Sequence, residues 1–318
     1  MRVMITGAQG FVGRQVLAAL SLALGEDGEI YPSGRRGADL GTLGRLNRLD
    51  VTDALAVRHE VSRVRPTHVV HLAGLSTISA ATSNENLAWK IHVGGTLNIA
   101  RAIRENVPSC VLLYVGSGQV YGASARTTDL LTENTLLAPT NAQMASKAAA
   151  DLALGAMAED GLRCIRFRPF NHTGPGQSEN FALPNFALQI ARIKARLQPA
   201  QMLVGNLDVV RDFLDVRDVA AAYVQAILRS PDIQAGEIFN VASSVPRRIG
   251  DILYEMIGIA DIPIAVETDR NRVRPAEILR FVGDATKARE RLAWSPAYAF
   301  EQTLREIVTD AEIRVAQM

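Results

Sequence analysis

Cysteine is almost missing from this chain: 318 residues contain two, Cys110 and Cys164, each inside an apolar run that reads as a strand. Buried, reduced thiols are expected, and no metal-ligand spacing surrounds them. An excess of either charge is missing as well, since 34 Lys+Arg face 33 Asp+Glu for a formal net charge of +1. That balance offers no field for nucleic acid or an anionic membrane, and neither is expected as a partner. No apolar run reaches the roughly 18–20 residues that a membrane helix needs. The chain opens directly on a strand-like segment rather than a signal peptide, so a cytoplasmic location is expected. Internal repeats and low-complexity stretches are also lacking.

What the chain does have is apolar content, 48% of its residues, enough for one large core or two coupled ones. From Arg2 to about Phe170, short β-branched runs alternate with longer stretches of helical spacing. The strands read Val3–Thr6, Glu29–Tyr31, Val69–Ala73, Val111–Ser117 and Cys164–Phe167; the helices read Phe11–Leu24, Ala54–Val64, Leu87–Arg104 and Ala142–Ala158. This alternation predicts an α/β fold, a doubly wound parallel sheet with helices on both faces. Beyond Phe170 the texture changes to a turn-rich loop over Asn171–Gln177 and a helix from Pro184 to about Arg196. A strand-then-helix stretch follows over Arg211–Leu228, a strand over Gly236–Val241, and then a proline-punctuated remainder.

Thr6-Gly-Ala-Gln-Gly-Phe-Val-Gly13 joins the first strand to the first helix. Glycines at Gly7, Gly10 and Gly13 suit a tight turn, a close backbone approach to a pyrophosphate and close helix–strand packing. The helix start then offers free N–H groups and a positive dipole end to phosphate. In this strand–turn–helix context the pattern predicts an NAD(P)-binding Rossmann fold. The expected division is a Rossmann domain over 1–170, with 208–242 returning to it. Residues 171–207 and 243–318 then form a smaller mixed α/β portion. After the second strand no acid appears until Asp39, whereas Arg35 and Arg36 stand where a 2′-phosphate would lie. NADP is therefore the expected cofactor, with NAD as the alternative. A solvated basic loop is the other reading of the pair.

The Gly-x-x-Gly-x-x-Gly spacing resembles the short-chain dehydrogenase/reductase superfamily, and Thr-Gly-x-x-Gly-Phe-x-Gly resembles its extended, sugar-nucleotide branch of epimerase/dehydratase type. That resemblance implies cofactor contacts from Gly7, Gln9, Gly10, Phe11, Val12 and Gly13. It adds Asp50 and Val51 at the adenine, and Leu72, Ala73 and Gly74 at a strand end, with Gly74 where Ala is usual. Lys147 and Phe170 complete the set.

The same resemblance implies a catalytic Ser, and a Tyr four positions before a Lys. Ser117 precedes Tyr121-Gly122 by four, so Ser117 would hold the substrate oxygen and Tyr121 would be the structural tyrosine. Lys147 lies in a Ser-Lys-x-x-x-Asp helix and would bond the nicotinamide ribose, but four positions before it stands Gln143. A carboxamide cannot exchange the proton that a phenol can. Gln143 is expected at best to donate a hydrogen bond toward a developing alkoxide, leaving the proton to Ser117, Lys147 or water. Gln119, two residues after Ser117, stands where the superfamily's dehydratases carry an acid, which argues against a 4,6-dehydratase.

Arg168-Pro-Phe-Asn-His-Thr-Gly-Pro-Gly-Gln177, Val204-Gly-Asn-Leu207, Arg211 through Val219, and Arg274-Pro-Ala-Glu277 extend the resemblance. They are similar to the group that reduces GDP-4-keto-6-deoxy-D-mannose to GDP-D-rhamnose. The implied substrate contacts are Ser117, Asn171, Val204, Arg211, Arg274 and Glu277, with the arginines suited to a diphosphate. No metal is expected. A GDP-sugar or other nucleoside-diphosphate sugar is the expected ligand. The resemblance also implies a homodimer formed through helices Leu87–Arg104 and Gln143–Ala158. Three functions stay open: an NADPH-dependent 4-ketoreductase, a C4 epimerase, and a sugar-nucleotide or dinucleotide-binding protein that has lost the acid.

Overall fold

Strands that are apolar on both faces are stable only inside a covered sheet, and the first half of the chain builds one. The computed structural model of the protein describes residues 1–39, 41, 44–75, 83–269 and 278–317. It runs β1 (Arg2–Thr6), α1 (Phe11–Leu24), β2 (Glu29–Gly34), β3 (Ala38–Asp39), β4 (Arg45–Arg48), α2 (Ala54–Val64) and β5 (His68–His71). Next come α3 (Glu85–Trp89), a π-helical segment (Lys90–Gly95), α4 (Thr96–Asn106), β6 (Val111–Val115), α5 (Ala142–Glu159) and β7 (Cys164–Pro169). Then follow β8 (Asn171–Thr173), α6 (Ala182–Lys194), β9 (Gln201–Val204), β10 (Val210–Asp215), α7 (Val216–Leu228) and β11 (Glu237–Val241). The last elements are β12 (Pro246–Arg248), α8 (Ile249–Ala260), β13 (Ala265–Thr268), β14 (Arg280–Phe281), α9 (Thr286–Leu292) and α10 (Phe300–Ala316).

Eight strands pair in the order β11-β7-β6-β5-β1-β2-β4-β3. All neighbours are parallel except β3 and β4. The chain leaves β1 in one direction through β2 and in the other through β5, so the strand order reverses between them, where ligands of such sheets collect. The period-2 alternation of strands decides which face each side chain serves. Val3 and Ile5 of β1 join Val16, Leu17 and Leu20 of α1 and Val219 and Tyr223 of α7 in one core. Met4, between them, joins Val57 and Val61 of α2, Ile99 and Ile103 of α4 and Leu154 of α5 on the other face.

Sequence periodicity places α1 and α2 at their observed bounds. Asp53 caps α2 by accepting the Leu55 and Ala56 N–H groups at 3.0 Å each, as an N-cap aspartate does. The expected single helix Leu87–Arg104 is instead interrupted by the π-helical segment. Its Gly95 faces Val51, where a Cβ would lie 2.7 Å from Val51 Cγ2. Strands β5 and β6 stop short of the expected Ala73 and Ser117, freeing Leu72–Leu75 and Gly116–Ser117 as loops at the sheet's C-terminal edge. Both cysteines are buried and free, and burial pushes their thiols up, to about 12 for Cys110 and about 11 for Cys164.

A second core gathers α6, α8 and α10 around β9 and its parallel partner β13. Strand β10 pairs with β8, β12 and β14 in a separate small sheet, not with the large one. The return to the large sheet therefore begins with α7 and β11, later than the expected residue 208. Phe213 of β10 packs with Phe300 of the smaller core at 6.1 Å, while its neighbour Leu214 belongs to the larger one. Among the described residues no helix is long and apolar enough to cross a membrane.

Candidate active site

The cofactor cradle is assembled from glycines that tolerate no side chain. Gly7 has φ +73°, in the left-handed region that favours glycine, and a Cβ there would lie 2.8 Å from the Ala73 nitrogen. A Cβ on Gly13 would lie 2.5 Å from the Gly7 carbonyl oxygen. Helix α1 starts at Phe11 with Gly10 as its N-cap and no side chain capping it, so the first-turn N–H groups of Phe11, Val12 and Gly13 face outward with the positive dipole end. The cradle fits a pyrophosphate. Gln9 lies across the end of β2, where a Cβ on Gly34 would sit 1.6 Å from its Oε1. Beyond Gly34, Arg35 and Arg36 are exposed.

In the turn after β4, Asp50 Oδ1 accepts the Thr52 N–H at 2.9 Å and its hydroxyl at 2.8 Å. These bonds, with Lys90 and Arg35 nearby, hold its carboxyl below the usual range. Asn98 donates to the Val51 carbonyl at 3.0 Å, which joins this turn to α4. Leu72 N–H donates to the Thr6 carbonyl at 3.1 Å, and Ala73 N–H to the Thr6 hydroxyl at 3.3 Å. A Cβ on Gly74 would lie 3.3 Å from the His92 ring. Gly74 thus gives His92 room.

Two of the three expected catalytic residues meet at the end of β6. Ser117 Oγ accepts the Gln119 N–H at 3.2 Å, which leaves its own hydrogen available. Lys147 Nζ donates to the Gly116 carbonyl at 3.0 Å, and burial lowers its pKa to about 8. The helix carrying Lys147 is fastened from behind. Asp151, fully buried, takes Arg166 at 2.9 Å and Arg168 at 2.9 and 3.0 Å. Tyr121 is structural, as the resemblance implied: its hydroxyl donates to Asn240 Oδ1 at 2.7 Å and accepts from Arg168 at 3.1 Å.

Gln143 departs from its expected role. Its Nε2 donates to the Leu75 carbonyl at 2.9 Å, and its Oε1 is buried with no hydrogen-bond partner. The atom left for a ligand is an acceptor, not the expected donor. His92 and Ser146, which had no signal in the sequence because their partners are far along the chain, stand directly behind it.

Of the residues expected to contact substrate, Asn171 lies half-buried on β8, opposite Phe213. His172 donates Nδ1–H to the Phe170 carbonyl at 2.9 Å and stacks on Phe11 with centroids 6.4 Å apart, so it holds the loop. Phe170 is wedged against Gly118 and Gly283, where a Cβ would lie 2.9 and 2.4 Å from its ring. Its ring serves the junction between the cores. Val204 is 1% exposed within the smaller core, so any ligand contact it makes is through backbone. Arg211 Nη1 donates to the Val210 carbonyl at 2.9 Å. Arg274 and Glu277 lie outside the described residues. Asp215 caps α7, whereas Asp218 accepts the Ala297 and Tyr298 N–H groups at 2.8 and 3.3 Å and anchors the C-terminal segment. A cleft of about 420 Å³ lined by Arg2, Arg65, His68 and Arg163 opens at the N-terminal ends of the strands, away from these residues.

Residues 4–307 match the model of the GDP-mannose 4,6 dehydratase family. The GDP-6-deoxy-D-mannose reductase of Pseudomonas aeruginosa is 32% identical over 317 residues, 99% of each chain. The GDP-6-deoxy-D-talose 4-dehydrogenase of Aggregatibacter actinomycetemcomitans is 25% identical over 294 residues, 90% of each. Among solved structures, RMD from Pseudomonas aeruginosa complexed with NADPH aligns with a TM-score of 0.85 at 31% identity, covering 98% of this chain and 99% of that one. The UDP-glucose 4-epimerase of Thermus thermophilus in complex with NAD shares the fold, with a TM-score of 0.81 at 23% identity and coverage of 98% and 99%.

Proposed function

We propose, from the premise that this chain belongs to the GDP-mannose 4,6 dehydratase family of extended short-chain dehydrogenases/reductases, that it is an NADPH-dependent ketoreductase acting on GDP-4-keto-6-deoxy-D-mannose to give GDP-D-rhamnose. At the coarser level it is an NAD(P)-dependent oxidoreductase with a GDP-sugar role of the reductase, epimerase or dehydratase type. The observation that carries the finer reading is the Lys147–Gly116 contact of 3.0 Å, which brings an ammonium beside Ser117 at the C-terminal edge of the sheet, next to the glycine cradle. The likeness over full length to a GDP-6-deoxy-D-mannose reductase supports the substrate class.

Gly7, Gly10 and Gly13 with the start of α1 would hold the cofactor's pyrophosphate, and Arg35 and Arg36 would meet the 2′-phosphate of NADPH. A bound NADPH would supply the hydride. The Ser117 hydroxyl donates to the ketone oxygen and fixes it for attack, and Lys147 stabilises the negative charge that develops there. Asn171 and Arg211 would orient the sugar and the diphosphate. Dehydration is disfavoured, because Gln119 stands where the family's dehydratases remove a proton and a carboxamide cannot take one. The test is the loss of NADPH absorbance with GDP-4-keto-6-deoxy-D-mannose, with the sugar product identified by NMR. NADPH binding without turnover would favour the binding-protein reading that Gln143 raises.

A further inference from the structure

A hydrogen-bonded ring closes behind Gln143. The Leu75 N–H donates to His92 Nε2 at 2.9 Å. His92 Nδ1 lies 2.8 Å from Ser146 Oγ. The Ser146 hydroxyl donates to the Gln143 backbone carbonyl at 3.0 Å, and the Gln143 side-chain amide returns to the Leu75 carbonyl at 2.9 Å. Each link dictates the next. A backbone N–H can only donate, so His92 Nε2 is the bare nitrogen and Nδ1–H donates to Ser146. Burial, with Lys147 nearby, pushes the His92 pKa to about 4 and keeps the ring neutral. The Leu75 carbonyl can only accept, so the amide NH₂ must face it. The free end of Gln143, itself only 7% exposed, is therefore the unpartnered Oε1.

A ketone oxygen carries only lone pairs, so it is repelled by Oε1 and driven to the donors that remain. Among the described residues, the neighbouring groups are committed elsewhere. The Tyr114 hydroxyl of β6 donates to the Lys147 backbone carbonyl at 3.1 Å, and burial raises its pKa. His71 of β5 sits between Thr6 and Thr96 at 2.7 and 3.1 Å. His172 beyond β7 is bound to Phe170. Burial lowers the pKa of both imidazoles. Asp151, one turn further along α5, is an acceptor held by Arg166 and Arg168. The Ser117 hydroxyl can donate a hydrogen bond but does not ionise near neutral pH. Lys147 brings three ammonium hydrogens, of which one goes to Gly116.

We propose that Lys147 is the general acid of this site, handing an ammonium proton to the ketone oxygen, while His92 is a positioning residue that locks Gln143 as a hydrogen-bond acceptor. The proposal rests on the ketoreductase reading. A bound reduced nicotinamide would supply the hydride for the new C–H bond, leaving the carbonyl π electrons on the oxygen that Lys147 protonates. The new O–H bond forms as one N–H bond of the ammonium breaks, and the neutral amine regains a proton from water. Gln143 precedes Lys147 by one turn on the same face of α5, and its Oε1, which has no partner in the protein, is left to accept from a ligand hydroxyl. A lysine desolvated to a pKa of about 8 can both give and regain a proton close to neutral pH.

The first test uses the cofactor-free protein: the rate at which an amine-selective acylating reagent labels Lys147, followed by peptide mass spectrometry across pH. A labelling midpoint near 8 is expected, and a midpoint close to the ~10.4 of ordinary lysines overturns the proposal. The second test follows turnover with GDP-4-keto-6-deoxy-D-mannose. In native protein kcat should fall as pH rises through about 8, because the acid is then deprotonated. Lys147→Arg keeps the charge but holds its proton, and at saturating NADPH should lose roughly 10²-fold or more in kcat. Retention of more than about a tenth of native kcat in that variant overturns the assignment. His92→Leu should shift the alkaline limb of the kcat profile rather than only raise KM; an unmoved limb removes His92 from the proposal. If the native protein turns over no substrate, the ketoreductase reading fails, and the labelling midpoint decides the state of Lys147 by itself.

Discussion

A methyl group at Gly7 would have to push against the backbone of Ala73 at 2.8 Å from a left-handed φ of +73°. Strain of that kind costs on the order of 1–3 kcal/mol. Gly7→Ala is therefore expected to lower the thermal midpoint and weaken NADPH binding together, in calorimetry and fluorescence titration. Arg35 and Arg36 make a separate prediction: Arg36→Ala should raise KM for NADPH roughly tenfold while leaving NADH nearly unchanged, as expected from one lost phosphate contact. Equal effects on both cofactors would return the pair to an ordinary basic loop. The glycine turn was legible in the sequence because its backbone demands follow from local geometry. His92 was not: its partners Leu75 and Ser146 are 17 and 54 positions away, and no periodicity marks it.

Three buried histidines also set a pH dependence. Burial lowers His68 to about 4, His71 to about 3 and His92 to about 4, against roughly 6.5 in an unfolded chain. The unfolded state thus binds protons that the native state refuses. Stability present above about pH 6.5 is lost progressively as pH falls toward 4. The thermal midpoint should fall over that interval, and a flat profile would contradict the buried neutral imidazoles.

At the scale of elements, α5 carries both Gln143 and Lys147 and is held to β7 by Asp151. Asp151→Ala would leave Arg166 and Arg168 uncompensated, the latter 3% exposed. Removing one partner of a buried pair typically costs about 3–5 kcal/mol, a loss to be read from urea unfolding; a cost below about 1 kcal/mol would mean the arginines find water instead. Helices α1, α2 and α5 were readable because caps and a 3.6-residue apolar period survive in the sequence. The π-helical segment was not, since it changes the hydrogen-bond register without disturbing the apolar pattern. Gly94 and Gly95 are the only local hint of it.

At the scale of the molecule, α3 and α5 leave Trp89 and Leu152 42% and 59% exposed, on the helices through which the family resemblance implies a dimer. Light scattering is expected to give a dimer, and Leu152→Asp a monomer with unchanged far-ultraviolet dichroism. A native monomer would remove that reading.

The sequence by itself determined the α/β class, the glycine cradle, the Ser117–Lys147 pair and the replacement at Gln143, because each depends on residue type and short-range spacing. Only the tertiary structure decided that β10 belongs to the small sheet, since a strand's partners are chosen by long-range pairing and not by its own pattern. It also decided which end of Gln143 is free. An amide offers both a donor and an acceptor, and the choice was made by a backbone carbonyl 68 positions away.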